Sequence, residues 1–316
     1  MQSQPREFES AVSITQASKF FGSTVAVNQL NLDIPKGTIL GLIGPNGSGK
    51  TTTIRMIVGI SPPTQGEVNL FGQRTPAEVI PHIGYVPETN GLIQRLKVID
   101  YIVFNARLHH ISKKEAVRKA EQMLERFEIA DTRNKACSAM SKGMAQKIQM
   151  ICAMLHEPAL LILDEPFSGL DPVNMELVKD AILEFRSPER TVLFSTHIME
   201  HAEQICDSVV MINKGRVLLN GTLDEVRASR GNCLSIEFEG DADALNQIPG
   251  ITGVTKNGSS AQLDIDQGVD RQQILRDLLD HVELKQFDFG QVSLHDVFIH
   301  AVAHDSSSQE QKDGVN

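Results

Sequence analysis

The chain has 316 residues, 41% of them hydrophobic and 22% charged, enough for one large domain with a smaller one beside it. Thirty basic residues against 40 acidic ones leave a formal charge of −10, which argues against general nucleic-acid binding because that needs a basic footprint. The opening MQSQPREFES has no apolar core and no run approaches ~18 apolar residues, so neither a signal peptide nor a membrane span is expected. The cysteines, Cys137, Cys152, Cys206 and Cys233, form no CxxC pair, and this spacing predicts reduced thiols of a cytosolic protein rather than a zinc or redox motif.

In chain order, AVSITQASKFF, TVAVNQLNLDI and TILGLIG read as strands across residues 11–43. A glycine-rich turn follows at 44–49 and a helix at about 50–60. Further strands are expected at 66–71 and 79–86. Residues 98–128 read as helices, one of them opened by Ser112 with Glu115 at the capping-box spacing. Ile148, Ile151, Cys152 and Leu155 mark a helix over 142–156. A buried strand at 159–164, a helix at about 172–186, the strand TVLFST at 191–196 and a helix near 198–205 come next. Strands VVMIN and RVLLN follow, and Thr222 with Glu225 opens a short helix ending near Arg230. Apolar strands alternating with helices predict an α/β domain with a mainly parallel core sheet and an antiparallel N-terminal element, over residues 11–230. After SRGN the pattern changes to β-α-β-β-α-β plus a final helix. That predicts a small α+β ferredoxin-like domain over 232–303, and the polar stretch 304–316 reads as a disordered tail.

Residues 44–51, GPNGSGKT, fit G-x-x-x-x-G-K-[ST] between an apolar strand and a helix. Gly44, Gly47 and Gly49 let the loop, with Pro45, Asn46 and Ser48, turn its N–H groups toward phosphate oxygens. The helix start adds its positive dipole end. Lys50 is expected at the β- and γ-phosphates, the Thr51 hydroxyl on Mg²⁺ and Thr52 at the α-phosphate. LLILDEP (160–166) ends a buried strand in two acids. Asp164 is suited to hold the metal, and Glu165 to orient or deprotonate the attacking water.

With DEPFSGLDP (164–172) followed by STH ending at His197, and MSKGMAQK (140–147) between the nucleotide motifs, residues 11–230 resemble the ATPases of ABC transporters. The resemblance implies a P-loop ABC-ATPase domain with a helical subdomain at about 90–156. It also implies that Phe21 stacks on adenine and that Glu88 stands at the Q-loop position near Mg²⁺ and ATP. Ser141 and Gly143 would contact the γ-phosphate held by an opposite protomer, Asp171 would meet that protomer's phosphate loop, and His197 would touch the γ-phosphate. Three positions depart from the family pattern: Met-Ser-Lys-Gly-Met stands for Leu-Ser-Gly-Gly-Gln, Glu88 for glutamine, and Phe21 for the more frequent tyrosine.

The expectation is therefore an ATP- and Mg²⁺-dependent ATPase, working as a dimer that is expected to be a homodimer. It would sit peripherally on the cytoplasmic face of a membrane, coupled to a separate transmembrane permease through residues 89–110. The signature and the ending SLHDVFIHA resemble the ABC-2 exporter class that includes sodium- and drug-efflux ATPases. No nucleic-acid partner is expected. Two other readings remain: a non-transport ABC ATPase acting on DNA or the ribosome, and a module that senses ATP without hydrolysing it. A regulatory or dimer-supporting role is expected for the C-terminal domain. Arg55 and Lys147 read as solvated or paired surface charges, His109, His110, His156 and His201 as residues of helix faces, and the methionines as core filling.

Overall fold

A computed structural model describes residues 10–72, 79–89, 91–230, 232–266, 269–288 and 292–302. The tail expected at 304–316 lies outside them. The chain divides into two compact units, Met1–Asn220 and Gly221–Asn316.

The first unit begins with the long strands β1 (Ser10–Phe21) and β2 (Thr24–Pro35), joined by a hairpin and completed by β4 (Gln65–Leu70) in an antiparallel sheet of order β2-β1-β4. In β2 the period of two is plain: Leu30, Leu32 and Ile34 are buried while Asn31 and Asp33 face out. The main sheet has the order β5-β6-β7-β3-β8-β9. Its strands are β3 (Ile39–Ile43), β5 (Ile83–Val86), β6 (Leu160–Asp164), β7 (Thr191–Thr196), β8 (Ser208–Asn213) and β9 (Arg216–Thr222). Neighbours from β5 through β8 pair in parallel. Every residue of β3, β6 and β7 is buried, as expected for strands covered on both faces.

Helix α1 (Lys50–Ile57) packs between the two sheets: its Ile54, Met56 and Ile57 join Val12, Leu30 and Leu32 on one side and Leu42, Ile162, Leu193 and Val210 on the other in one apolar cluster. The segment between β5 and β6 is helical: α2 (Val98–Leu108), α3 (Lys113–Arg126) and α4 (Lys142–Met154). Ala116, Ala120 and Leu124 give α3 a buried stripe at i, i+4, i+8, and Ser112 accepts the N–H of Glu115 at its head. Helices α5 (Pro172–Phe185) and α6 (Met199–Ile205) follow β6 and β7.

The strand expected over 79–86 is shorter than its sequence suggests. Ile80–His82 form a 3₁₀ turn and only Ile83–Val86 pair, because Pro81 has no N–H for a ladder. Lys147 is also not the surface charge expected: it is buried on α4 and donates to the carbonyl of Phe127 at 2.9 Å. Its alkyl stem fills core space while its ammonium meets the carbonyl end of α3. His109 and His156 likewise stack on each other, centroids 3.6 Å apart, instead of standing alone on helix faces.

The second unit opens with α7 (Leu223–Ala228), capped reciprocally by Thr222 and Glu225. Strands β10 (Asn232–Glu239), β11 (Ile251–Asn257), β12 (Ser260–Ile265) and β13 (Glu283–Asp288) form an antiparallel sheet of order β11-β12-β10-β13. That is the strand order of a β-α-β-β-α-β ferredoxin-like sheet. The first of its expected helices is only a 3₁₀ stretch, Ala242–Gln247, and the second is α8 (Arg271–His281). Ile274 and Leu278 of α8 close a core with Leu234, Ile236 and Leu263. A last helix, α9, covers 294–302, with Ser293 accepting the N–H of Asp296. Asp264 pairs with Arg230 within this unit.

Candidate active site

The site lies at the carboxyl ends of β3, β6 and β7, the edge of a parallel sheet where loops converge. After β3 the backbone is too crowded for a side chain. A Cβ at Gly44 would fall 2.1 Å from the carbonyl of Ile212, and one at Gly49, φ +110°, would fall 2.6 Å from the carbonyl of Ala26. Helix α1 starts directly after Gly49 with no side-chain cap and no acid in its first turn, so its positive end is left for an anion. Lys50 is buried, and its Nζ donates to the carbonyls of Gly44 at 2.8 Å and Pro45 at 3.1 Å. Burial pushes its pKa down, opposed by the charges of Glu165, Asp164 and Glu88.

The acids come from the end of β6. Asp164 is 1% exposed. Its Oδ1 accepts from the hydroxyls of Ser195 at 2.5 Å and Thr51 at 3.3 Å, while its Oδ2 is buried with no partner. Glu165 follows with φ +52°, a left-handed conformation uncommon for a residue with a side chain. Its N–H is held by the Ser195 hydroxyl at 3.2 Å. Its Oε1 accepts from His197 Nδ1 at 3.0 Å and lies 3.9 Å from Lys50 Nζ. Because a carboxylate only accepts, Nδ1 carries a hydrogen, and Nε2 is the ring nitrogen not engaged by Glu165.

Ala26, Asn46, Gly47, Gly49, Lys50, Thr51, Thr52, Glu88 and Glu165 line one cavity of about 290 Å³. Phe21 is 53% exposed at the end of β1, outside that lining, with Lys19 Nζ 5.4 Å from its ring centroid. Ser141, Gly143 and Asp171 do not line it either. Ser141 caps α4 by accepting the N–H of Met144. Asp171 caps α5, and its pKa is lowered by the backbone and side chain of Asn174. A larger cavity of about 430 Å³ lies elsewhere, between α3 and the end of α5, and ion pairs of Lys119 with Glu157 and of Arg126 with Glu184 neutralise much of its wall.

Sequence reasoning missed Ser195, which joins both acids. Its only signal was its place two residues before His197, and the parallel register that pairs it with Asp164 is what brings it to the site.

A lysine-bearing phosphate loop facing an acid pair at parallel strand ends defines a P-loop nucleoside triphosphatase. Residues 27–168 match the family model of ABC transporters, and residues 221–302 match that of the C-terminal domain of DrrA1-3-like ATP-binding proteins. The chain is 41% identical over 292 residues to YhaQ, an uncharacterized ABC transporter ATP-binding protein of Bacillus subtilis, covering 92% of this chain and 98% of that one. It is 30% identical to the daunorubicin/doxorubicin resistance ATP-binding protein DrrA of Streptomyces peucetius, over 95% of this chain and 96% of that one. A solved ATP-binding subunit of an ABC transporter superposes with a TM-score of 0.66 at 32% identity, covering 70% of this chain and 93% of that one. The chain belongs to the ATP-binding proteins of ABC transporters. It binds and hydrolyses ATP as a transporter subunit, and nothing in these relationships supports action on DNA or the ribosome.

Proposed function

We propose that the chain is one of two identical ATPase protomers driving export through a separate ABC-2-type membrane permease, from the cytoplasmic face of the membrane. Export rests on the likeness to DrrA, which is named for drug resistance. Among the described residues no helix is long and apolar enough to cross a membrane, so the pathway would belong to the permease. The 221–302 match supports an accessory domain after the ATPase domain, beginning at residue 221 rather than at 232, and its role would be regulatory or dimer-supporting.

In the site, the loop from Gly44 to Thr52 would wrap the phosphates with backbone N–H groups, with Lys50 leaving its two carbonyls for the β- and γ-oxygens. Phe21 would offer its exposed ring to adenine. A magnesium ion suits these residues: Asp164 has an orphaned buried oxygen, and Thr51 and Glu88 complete a hard-oxygen donor set. When bound, it would neutralise phosphate charge. Glu165 would orient the attacking water and take its proton, while His197, fixed through Nδ1, would donate from a protonated Nε2 to the γ-phosphate. Ser141, Gly143 and Asp171 lie outside the cavity, so they would act on ATP held by the second protomer.

The observation that carries this reading is the contact of Glu165 with both His197 and Lys50 at the mouth of the phosphate loop. Glu165→Gln keeps the shape and removes the base, so it should accumulate an ATP-bound dimer without turnover. Light scattering after gel filtration at saturating ATP checks this, and a variant that stays monomeric while binding ATP refutes the two-protomer mechanism.

A further inference from the structure

At the head of α4 the family pattern has glycine and this chain has Lys142. The side chain of Lys142 crosses to a loop 26 residues further along, where its Nζ donates to the hydroxyl of Ser168 at 3.2 Å. It lies over Gly169 so closely that a Cβ there, at φ +76°, would meet Lys142 Cδ at 2.8 Å and Cε at 3.0 Å. One residue on, a Cβ at Gly143 would touch Leu170 Cδ2 at 3.3 Å. No ion pair of Lys142 occurs among the described residues, so Ser168 is the anchor of its ammonium.

The loop under this strap holds Glu165. The N–H of Ser168 donates to the carbonyl of Glu165 at 3.1 Å, and that of Leu170 donates to the carbonyl of Phe167 at 3.2 Å. Residues 165–170 thus form two linked turns, the first of which carries the left-handed Glu165. Further down α4, Gln149 Nε2 reaches the carbonyl of Thr89 at 3.4 Å, next to Glu88. The helix is therefore tied to both segments that bring acids to the cavity.

We propose that Lys142 is a positioning residue for hydrolysis. Its stem and ammonium clamp Ser168 and Gly169 to the head of α4, so that the signature helix and the turn bearing Glu165 move as one piece. The site then becomes competent only when α4 is correctly seated. The inference rests on the assignment of Glu165 as the base.

The test is steady-state ATP turnover of the full chain carrying Lys142→Met, Lys142→Arg, Ser168→Ala and the Met/Ala pair. Lys142→Met should lower kcat about 3- to 10-fold with KM for ATP changed less than about twofold, the signature of an interaction needed in the transition state. Lys142→Arg should restore at least half of the lost rate. Ser168→Ala should lower kcat similarly, and the double variant should fall little further, because both changes cut one link. Thermal melting of the four variants should agree with the parent, which excludes general loosening. A raised KM with unchanged kcat would make Lys142 a phosphate ligand and overturn the proposal, as would strictly additive losses. Failure of the underlying assignment looks different: the parent chain would hydrolyse ATP and Glu165→Gln would hydrolyse it equally well.

Discussion

Helices α1 and α4 both begin at residues suited to phosphate, yet their heads are finished in different ways. The head of α1 is enclosed. Gly49 turns the chain against the carbonyl of Ala26, Lys50 is buried on loop carbonyls, and Glu88 and Glu165 wall the cavity in front. The head of α4 is open: Ser141 and Lys142 are exposed, and neither contributes to that cavity. One helix head is thus completed by its own chain, while the other presents backbone donors with nothing of this cavity before them. The contrast is what a site divided between two chains would require, with each copy carrying one finished half and one unfinished half.

The largest expected effect tests the finished half. Lys50→Ala removes the buried cation, and ATP turnover should fall by about a thousandfold or more, with nucleotide binding lost as well; a fluorescent ATP analogue and phosphate release measure the two separately. Gly143→Asp sets a carboxylate at the unfinished head. Turnover should fall about a hundredfold while the isolated chain binds ATP as before. If ATP binding weakens as much as with Lys50→Ala, the two heads serve one cavity and the contrast fails. Ser195→Ala takes a hydroxyl from a buried carboxylate, at a cost of about 1–2 kcal/mol. Calorimetry should register this as a fall of roughly 2–4 °C in Tm.

The smallest effect lies away from both heads. Burial, and then the neighbouring His109, lower the pKa of His156 to about 4. Between that value and the ordinary one near 6.5 the unfolded chain binds more protons than the folded one. The contribution of neutral His156 to stability should therefore decline as pH falls from about 6.5 toward 4 and level off below. With the ring only partly sealed from water, about 1–2 kcal/mol is expected. Urea melts of the parent and of His156→Gln across that range check it, and the variant should show the flatter profile.

What could be read from the sequence follows a physical division. The phosphate loop and the acid pair were legible because a tight turn around phosphate admits few residue types, and those sit next to each other in the chain. The fully buried strands were legible for a similar reason, since continuous apolar runs such as LLIL leave little choice. Ser195 was not, because only the register of β6 against β7 makes it a partner of Asp164. Lys147 looked like surface charge because nothing local reveals that the carbonyl of Phe127, 20 residues earlier, waits for its ammonium. The pairing of His109 with His156 was hidden in the same way. Pro81 is a local signal that overrides the apolar run around it, which is why the strand begins only at Ile83. In the C-terminal unit the strand order and α8 agree with the pattern, but DADALNQ winds only as a 3₁₀ stretch.

The left-handed backbone of Glu165 carries a consequence for anyone who improves this protein by selection. Glycine, and to a lesser degree asparagine, adopts that conformation at less cost, relieving on the order of 1 kcal/mol. Either change also removes a negative charge beside buried Asp164. A library screened for heat tolerance alone should therefore tend to enrich chains that have discarded the proposed base at this position. Thermal robustness and turnover compete for the same residue, so a useful screen must score both at once.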